Sequence, residues 1–471
     1  MRPAGGVVMS STSRRQFLKK TALTAGAVGA APALRGGFAS GSPNDRVNVA
    51  VVGFHDRGRA HYQAYAGMKN VRVAALCDVD ERLFPAAVRY VEEKSGARPE
   101  TVFDFRRLLD NKDIHAVSIA TPDHWHALLT IWACQAGKDV YVEKPVSYTI
   151  EEGRKMVEAA RKYDRVVQAG LDMRSEPATR AAVKYLYEGR LGDIYRAKVI
   201  IFKGRAGIGR VKDSEVPAGV HWDLFLGPAP YRPFNLNRFH YGWHFFWDTS
   251  TTDVGNSGVH NLDVARWGLD KRVHPIKIHC TGGVYAWDSD QETPNVQVAT
   301  FEYQDGTLLE VELSNLFTHE TGGIRSTGNF FYSNKGYMSS ANGYEVFWGE
   351  FIPGSPEITP EGISNHVTNA SFPKRVYKPG PVIKDAETPS DAESHFQNFI
   401  DCVRSRRWQD LHCDILEGHM STTLAHLANI SYRTGRKLTF NPHSERFIGD
   451  DDANSYLTRQ YRHPYVLPEK I

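Results

Sequence analysis

Cysteine is scarce in this sequence, and its placement provides no framework for disulfides or for a metal. Five cysteines occur among 471 residues, and no two of them form a C-x-x-C pair. Their odd number and wide spacing argue against a disulfide scaffold and a zinc cluster. The sequence also lacks an internal repeat, a nucleophile elbow and a Walker phosphate-binding loop. Any chemistry must therefore come from other residues.

Apart from residues 1–39, the chain also lacks a marked excess of charge of one sign. Its formal net charge is +3, but residues 1–39 contain six basic side chains and no acidic one. The rest of the chain has 51 basic and 54 acidic side chains. No basic stripe is left to neutralise nucleic-acid phosphates, so we predict no nucleic-acid partner. No apolar run after residue 39 is long enough to cross a bilayer, and we predict no membrane span.

Residues 1–39 show the ordered features of a twin-arginine signal peptide. Ser13 to Lys19 reads S-R-R-Q-F-L-K, and an apolar stretch rich in Ala and Gly follows at 21–34. Small residues up to Ala39 then offer a cleavage site. The alternative is a disordered basic tail. We predict export of the folded protein to the periplasm or another extracytoplasmic compartment, with a mature chain that begins near Ser40.

A buried strand followed by a glycine turn opens the predicted first domain. Val47 to Val52 is apolar except for one Asn and is rich in β-branched residues, which favours a parallel strand. Gly53 and Gly58 follow, and a strand that ends in such a turn presents backbone N–H groups to a pyrophosphate. The usual pattern is G-x-G-x-x-G, whereas here His55 occupies the middle position.

The second strand of this domain ends in a carboxylate that suits a nucleotide ribose. Asp78 follows the apolar run from Val71 and lies 25 residues after Gly53. A carboxylate at this place accepts hydrogen bonds from the ribose hydroxyls and repels a 2′-phosphate, so it favours NAD over NADP. Arg57 and Arg59 nearby weaken that preference. The alternative is an ordinary turn residue at a strand end.

Later strands alternate with helices, which predicts a parallel, doubly wound sheet. Two further strand ends carry Thr121-Pro122 and Glu143-Lys144-Pro145, and ligands bind beyond such ends. Asp123, His124 and His126 form a possible metal set. They lie within one helical turn with no further ligand expected to converge, so we predict no metal there.

Several motifs in order resemble the glucose–fructose oxidoreductase/inositol dehydrogenase/MocA family. The resemblance covers nearly all of residues 46–460, and exported members with twin-arginine signals are the most similar. The motifs are the strand and glycine turn, Cys77-Asp78-Val79-Asp80, Thr121-Pro122-Asp123-x-x-His126, Glu143-Lys144-Pro145, Val166 to Gly170, and Gly255 to Trp267.

This resemblance implies a fold of two domains. We expect an NAD-binding Rossmann domain over 46–170 and a substrate-binding and oligomerisation domain over 171–460. The second domain would contain a large, mostly antiparallel sheet flanked by helices, with the helices of 394–435 packing back. The resemblance also implies a homo-oligomer, a dimer or tetramer, and a small carbohydrate or polyol as substrate. The resemblance further implies cofactor contacts at Gly53, His55, Arg57, Gly58, Asp78, Thr121, Pro122, His126, Glu143 and Lys144.

The expected catalytic residues come from both domains. In this family the Lys of Glu-Lys-Pro, here Lys144, approaches the reacting hydroxyl. We expect one helix from Asp253 to Trp267, with Asn256 and His260 on the face toward the substrate. Asn256 stands where better-known members have an Asp, and an amide cannot take a proton, so His260 becomes the expected acid/base. A satisfied core histidine is the alternative for His260. Asp263 either orients His260 or pairs with Arg266, and we favour a structural role.

An aromatic segment over 219–247 precedes that helix. Aromatic faces suit sugar rings, although core packing is the alternative for most of them. The predicted substrate contacts are Trp222, Tyr241, Trp243, His244, Asn256 and His260. Residues 341–392 are rich in Pro, Gly and Ser, and we predict a long excursion there.

The sequence therefore predicts an exported NAD(P)-dependent oxidoreductase that oxidises or reduces a sugar, a sugar derivative or a polyol by hydride transfer with tightly held cofactor. Two alternatives stay open. One is an NAD-dependent glycosidase or lyase that works through a transient keto-sugar. The other is a non-catalytic carbohydrate-binding protein on a retired dehydrogenase fold, which His55 in the glycine turn motivates.

Overall fold

Two sheets, each covered by helices, build the structure. It is a computed structural model that describes residues 46–316, 326–340, 343–349 and 391–471, with short strands at 358–359, 362–363 and 374–377. The predicted signal peptide lies outside the described residues. No helix in the described ranges is long and apolar enough to cross a bilayer.

The first sheet has six parallel strands in the order β3-β2-β1-β4-β5-β6. The side chains of Val49 and Val51 in its central strand are fully buried, as expected for a strand covered on both faces. The order reverses beside β1, and ligands bind at such a switch point. The strands are β1 Val47–Val52, β2 Val71–Cys77, β3 Glu100–Val102, β4 Ala116–Ile119, β5 Asp139–Val142 and β6 Val167–Ala169. The helices are α1 Arg57–Gly67, α2 Phe84–Ser95, α3 Arg106–Leu109, α4 Asp123–Gln135 and α5 Ile150–Lys162.

The second sheet has ten strands, and among its pairings only that of β7 with β10 is parallel in the described chain. The predicted combination of a Rossmann sheet and a mostly antiparallel sheet is confirmed. The strands run in the order β16-β13-β12-β11-β7-β10-β9-β8-β17-β18. They are β7 Ile194–Phe202, β8 Lys277–Gly283, β9 Val296–Glu302, β10 Leu308–Ser314, β11 Thr327–Ser333, β12 Gly336–Ser340, β13 Glu345–Trp348, β16 Lys374–Tyr377, β17 Leu438–Asn441 and β18 Arg446–Phe447; β14 Ile358–Thr359 pairs with β15 Gly362–Ile363 separately.

The period-2 pattern of β10 separates the two faces of this sheet. Leu309 and Leu313 point into the core, whereas Glu310 and Glu312 reach across to cations of β7 on the other face. The helices that cover the apolar face are α6 Pro177–Tyr187, α8 Thr252–Asn256, α9 Gly258–Gly268, α11 Ile415–Thr434 and α12 Asp451–Ser455. Helix α7 Trp222–Leu226 packs in a separate aromatic cluster, and α10 Asp391–Ser405 packs in the core of the first sheet.

Helix α11 packs against both sheets and holds the two halves of the site together. A Cβ atom at Gly418 would lie 2.5 Å from Ala169 and 2.9 Å from Val146, so only glycine permits this approach to the first sheet. Leu424 and Leu427 on the same helix belong to the core of the second sheet.

The single helix predicted from Asp253 to Trp267 is instead two helices, α8 and α9, which meet at Ser257. Two glycines flank this interruption. A Cβ atom at Gly255 would lie 2.1 Å from Thr251 Oγ1, and one at Gly258 would lie 2.6 Å from Ile201 Cδ1. The glycines thus allow close packing against the protein itself at this point.

Asp263 has a structural partner that the sequence did not suggest. Arg174 donates two hydrogen bonds to its carboxylate, at 2.7 and 2.8 Å, while Arg266 lies 3.6 Å away. Burial alone would raise the pKa of Asp263, but Arg174 and Arg266 hold it below its usual value. The side chain is fully buried and does not reach His260 as a hydrogen-bond partner. A structural role is therefore the one that the contacts support.

The predicted excursion over 341–392 is only partly described, and two of its segments are strands of the second sheet. Strands β13 and β16 extend the second sheet at one edge. The rest of that range lies outside the described residues apart from the β14–β15 hairpin.

Candidate functional site

A cavity of about 500 Å³ lies at the carboxyl ends of the first sheet, with α8, α9 and the end of β7 on its other side. The site that the sequence predicted from separate motifs is brought together here. The predicted residues that line the cavity are Gly53, His55, Arg57, Asp78, Thr121, Pro122, Glu143, Lys144, Tyr241, Trp243, Asn256 and His260.

The glycine turn is closed so tightly that two of its positions exclude a side chain. Gly53 has a φ of +76°, and a Cβ atom there would lie 2.9 Å from Ala120 O. A Cβ atom at Gly58 would lie 1.9 Å from Gly53 O. The turn therefore keeps the backbone geometry of a pyrophosphate cradle, although Gly58 itself does not line the cavity.

The side chain of His55 is held at one edge of this cradle by a second histidine. Its ring stacks on His240 with 3.8 Å between centroids, and His240 Nε2 lies 2.9 Å from Asp80 Oδ2. Burial lowers the pKa of His55, which keeps the ring neutral at neutral pH. The turn thus accommodates a side chain at the middle position because the second domain supplies a partner for it.

Asp78 lies where the ribose of a dinucleotide is expected, and it also fixes the glycine turn. Its Oδ2 accepts a hydrogen bond from Phe54 N at 2.7 Å, and its Oδ1 accepts one from Asp80 N at 3.0 Å. Burial raises the pKa of Asp78 to about 6, and these backbone N–H groups oppose the rise. Asp78 is therefore ionised at neutral pH, and the ionised carboxylate is the form that accepts hydrogen bonds from hydroxyl groups.

Glu143 connects the cofactor side of the cavity to the catalytic side. It accepts hydrogen bonds from Arg57 at 2.8 Å and is 3.0 Å from His61 Nε2. Burial would raise the pKa of Glu143, but Arg57 and His61 hold it well below its usual value. Arg57 also donates to Asp172 Oδ2 at 3.0 Å, so one guanidinium joins the two carboxylates.

The predicted catalytic pair, Lys144 and Asn256, is in contact. Lys144 Nζ donates to the backbone oxygen of Asn256 at 2.7 Å and to its Oδ1 at 3.0 Å. Asn256 Nδ2 in turn lies 3.2 Å from Asp253 Oδ1. A carboxylate at position 256 would face that of Asp253, and like charges so close repel. Asp253 therefore gives a physical reason for Asn at this place.

His260 faces Asp172 rather than Asp263. The distance from His260 Nδ1 to Asp172 Oδ1 is 3.5 Å, and no closer partner of Nδ1 lies among the described residues. Burial lowers the pKa of His260 to about 4. The positive charge of Lys144 also lowers this pKa, whereas the negative charge of Asp172 raises it. The imidazole is thus neutral at neutral pH and can accept a proton. With Nδ1 buried, Nε2 is the nitrogen that a ligand reaches.

Sequence reasoning missed Asp172, although a signal was available. The residue follows β6 directly, on the 3-10 helix Asp172–Ser175, and so lies at a strand end like the other site residues. It also missed Lys203 and Arg205, which follow the end of β7 and line the cavity. No motif marks these positions, and only the packing of the two sheets brings them to the site.

Besides Gly58, three predicted contact residues lie outside the cavity lining. Trp222 is buried in an aromatic cluster and donates to Arg232 O at 2.8 Å. His244 is buried against the Tyr241 backbone oxygen. His126 lies behind the lining, 2.8 Å from Thr121 O and 2.7 Å from Pro145 O. The first two are packing residues, which corrects the prediction for them, and His126 positions two segments that do line the cavity.

The residues considered for a metal point in different directions. Asp123 accepts hydrogen bonds from the N–H and hydroxyl of Thr251, whereas His124 Nε2 lies 3.0 Å from Phe225 O. Burial raises the pKa of Asp123 to about 7, with the hydrogen bond from Thr251 and the charge of Lys144 opposing. A separate buried group, His274, His419 and Glu445, has donor atoms within 4.8 Å. Arg154 also pairs with Glu445, and its positive charge disfavours a cation there.

Comparison with known proteins agrees with this geometry. A family profile described as "Oxidoreductase family, NAD-binding Rossmann fold" matches residues 47–171. A second, "Oxidoreductase family, C-terminal alpha/beta domain", matches 200–331 and 379–467. Among solved structures, levoglucosan dehydrogenase in complex with NADH and levoglucosan superposes with a TM-score of 0.59 at 18% identity. That match covers 84% of this chain and 99% of the other.

Two curated relatives match one part of the chain. Levoglucosan dehydrogenase of Pseudarthrobacter phenanthrenivorans is 34% identical over 167 residues, which are 34% of this chain and 40% of that protein. Alpha-N-acetylgalactosaminidase of Shewanella oneidensis is 30% identical over 172 residues, 32% of this chain and 38% of that protein. The chain thus matches less than half the length of these relatives. The two family profiles together cover more than half of the chain, and they show that it belongs to the glucose–fructose oxidoreductase/inositol dehydrogenase/MocA family of oxidoreductases, with a Rossmann domain of the NAD-binding type.

Proposed function

We propose that this protein is an NAD-dependent oxidoreductase of carbohydrates or polyols. It oxidises a hydroxyl-bearing ring or chain carbon to a carbonyl, or reduces that carbonyl to the hydroxyl. The observation that carries the proposal is the convergence of three groups on one cavity. They are the glycine turn with Asp78, the Lys144–Asn256 contact and the Asp172–His260 pair. A cofactor cradle and a proton-transfer group therefore face the same space.

The residues present fit a bound NAD. The turn from Gly53 to Gly58 offers backbone N–H groups to the pyrophosphate, and Asp78 offers a carboxylate to the ribose hydroxyls. Arg57 is already paired with two carboxylates, so it provides little attraction for a 2′-phosphate. Bound NAD would supply a hydride acceptor for the carbinol carbon.

The chain itself would handle the hydroxyl proton. Neutral His260 accepts the proton at Nε2, and Asp172 beside Nδ1 stabilises the imidazolium that forms. Lys144 donates a hydrogen bond to the substrate oxygen and stabilises the negative charge that develops on it. Asn256 holds the ammonium group in place through two oxygen atoms. In the reducing direction His260 returns the proton.

A second candidate function is glycoside cleavage through a transient keto-sugar. The similarity to a protein named alpha-N-acetylgalactosaminidase supports it, because the same oxidation acidifies a neighbouring C–H and allows elimination. The two candidates share the cofactor, Lys144 and His260. They differ in product, since cleavage releases an aglycone with no net NADH. The argument for a purely carbohydrate-binding role is that His55 stands in the glycine turn. The stacking of His55 on His240 weakens that argument.

The N-terminal 39 residues support the further proposal that the protein is exported by the twin-arginine route. We expect a fusion of residues 1–45 to a reporter that folds in the cytoplasm to reach the extracytoplasmic side in a twin-arginine-competent host. Changing Arg14 and Arg15 to Lys should abolish transport, whereas Lys19→Arg, outside the pair, should not. Equal transport of the Lys-Lys form would refute the proposal, and fractionation followed by immunoblotting measures it.

The raised pKa of Asp78 predicts a pH dependence of cofactor binding. Because the carboxylate is the binding form and its pKa is about 6, NAD affinity should be full above that pH and fall as the pH drops through it. We expect a loss of about twofold near pH 6 and about tenfold near pH 5. Isothermal titration calorimetry at a series of pH values measures the affinity for NAD. Asp78→Asn should bind more weakly, with no such dependence and less preference over NADP. A wild-type dissociation constant that is flat across this range would count against the assignment.

His260→Ala and Lys144→Met should lower turnover, and His260→Ala should leave NAD binding unchanged. We expect a loss of about 10²–10⁴-fold in kcat for His260→Ala, because the proton acceptor is removed. At saturating NAD, kcat/KM should be constant above about pH 5 and fall as the pH drops through the His260 pKa of about 4. NADH absorbance across a panel of sugars and polyols measures this. His443→Ala and Lys437→Met change exposed residues and serve as controls. Wild-type turnover in both site variants would show that His260 and Lys144 are not the catalytic residues.

A further inference from the structure

Two cations that the proposed chemistry does not use lie on the substrate side of the cavity. Lys203 and Arg205 follow directly after β7 and line the space opposite the Rossmann sheet. Lys203 donates to Ser257 Oγ at 3.0 Å, and Ser257 is the residue that follows Asn256. The ammonium group of Lys203 is therefore close to the segment that holds Lys144.

Lys203 has no carboxylate partner in the part of the chain that the structure describes. No carboxylate oxygen there lies within 4.0 Å of its Nζ, and the side chain is half-buried. The nearest acidic group that affects it is Asp253, and that carboxylate already accepts from Arg205, Asn256 and Asn315. Burial lowers the pKa of Lys203; Arg205 and Lys144 add to this and Asp253 opposes it. An ammonium group that is partly withdrawn from solvent, lacks a counterion among the described residues and lines the cavity favours an anionic ligand there.

Arg205 leaves further donors beside Lys203. It pairs with Asp253 at 2.9 Å and donates to the Tyr241 hydroxyl at 2.7 Å, while its Nε is buried with no partner in the described chain. Because the Tyr241 oxygen accepts from Arg205, its own O–H is free to donate. Tyr241 also lines the cavity. Donors thus predominate on this side of the substrate space, and donors arranged in this way suit an anionic oxygen group.

We propose that Lys203, with the Tyr241 hydroxyl beside Arg205, forms a subsite for a carboxylate on the substrate, so that the carbohydrate is a sugar acid. This inference rests on the proposed function, because it places the carboxylate on the molecule whose hydroxyl faces His260 and Lys144. The subsite is separate from the cofactor cradle, where Arg57 is neutralised by Glu143 and Asp172. A sulfate or phosphate ester offers the same anionic oxygens, and the experiment separates these sources.

The test compares each acid with its neutral amide, which keeps the sugar and removes the charge. Calorimetry on NAD-saturated protein would measure the affinities of D-glucuronate and D-glucuronamide, of D-galacturonate and its amide, and of glucose 6-sulfate and glucose 6-phosphate. We expect at least one acid to bind about tenfold more tightly than its amide, which corresponds to one charge-assisted contact. Tighter binding of an ester than of every acid would identify a sulfate or phosphate instead and would overturn the carboxylate assignment.

Variants test whether Lys203 causes the preference for the acid over its amide. Lys203→Met should reduce the affinity for the acid to that for the amide and leave NAD affinity unchanged. Tyr241→Phe should reduce the preference in part. Lys212→Met removes the same charge from an exposed position outside the cavity and should keep the preference. If no acid exceeds its amide, or if Lys203→Met keeps the full preference, the inference is overturned.

The failure of this inference can be told from the failure of the proposed function. NAD binding is measured first in the same instrument, and the acid–amide comparison is then made with and without NAD. Protein that binds NAD but shows no preference for a carboxylate overturns only the subsite. Protein that binds no NAD overturns the proposed oxidoreductase, and an acid preference lost in Lys203→Met would still support the subsite.

Discussion

The buried carboxylate of Glu143 is the constraint on which the site depends. It lies at the end of β5 and is only 4% exposed, yet it is charged because Arg57 and His61 both contact it. Removing either partner would leave the buried carboxylate with less compensation for its lost hydration, so the three residues hold one another in place. Arg57 belongs to the glycine turn and also contacts Asp172, the partner of His260. The cradle and the proton acceptor are therefore positioned by a single network.

Two departures from the family pattern have compensations in the same structure. His55 stands where a glycine is usual, and the second domain provides His240 to stack against it. Asn256 stands where an acid is usual, and Asp253 lies 3.2 Å from its amide. Each altered residue contacts a group from a distant or neighbouring segment that suits it. These contacts favour a site adapted to its own substrate over one that has lost its purpose.

The sequence predicted the parts of the structure that depend on local pattern. Strand β1 was predicted from Val47 to Val52, as found, because its β-branched residues and the glycine turn after them are visible in the sequence. The strand-end motifs likewise placed Asp78 and Lys144 at the cavity. Lys203 could not be found in this way, since its role depends on how the sheets pack rather than on any local signal. Asp172 was missed although it lies at a strand end like the other site residues. The interruption at Ser257 was missed because the residue pattern on both sides of it is that of a helix.

The proposed redox function requires above all that the altered glycine turn still binds a nicotinamide nucleotide. Native mass spectrometry of the protein purified from its own host under non-denaturing conditions tests this most directly. We expect the folded protein to carry the additional mass of one NAD or NADH per chain, or to take it up when NAD is added, and to release it on denaturation. A spectrum of the protein alone, unchanged after incubation with NAD, would contradict the redox function.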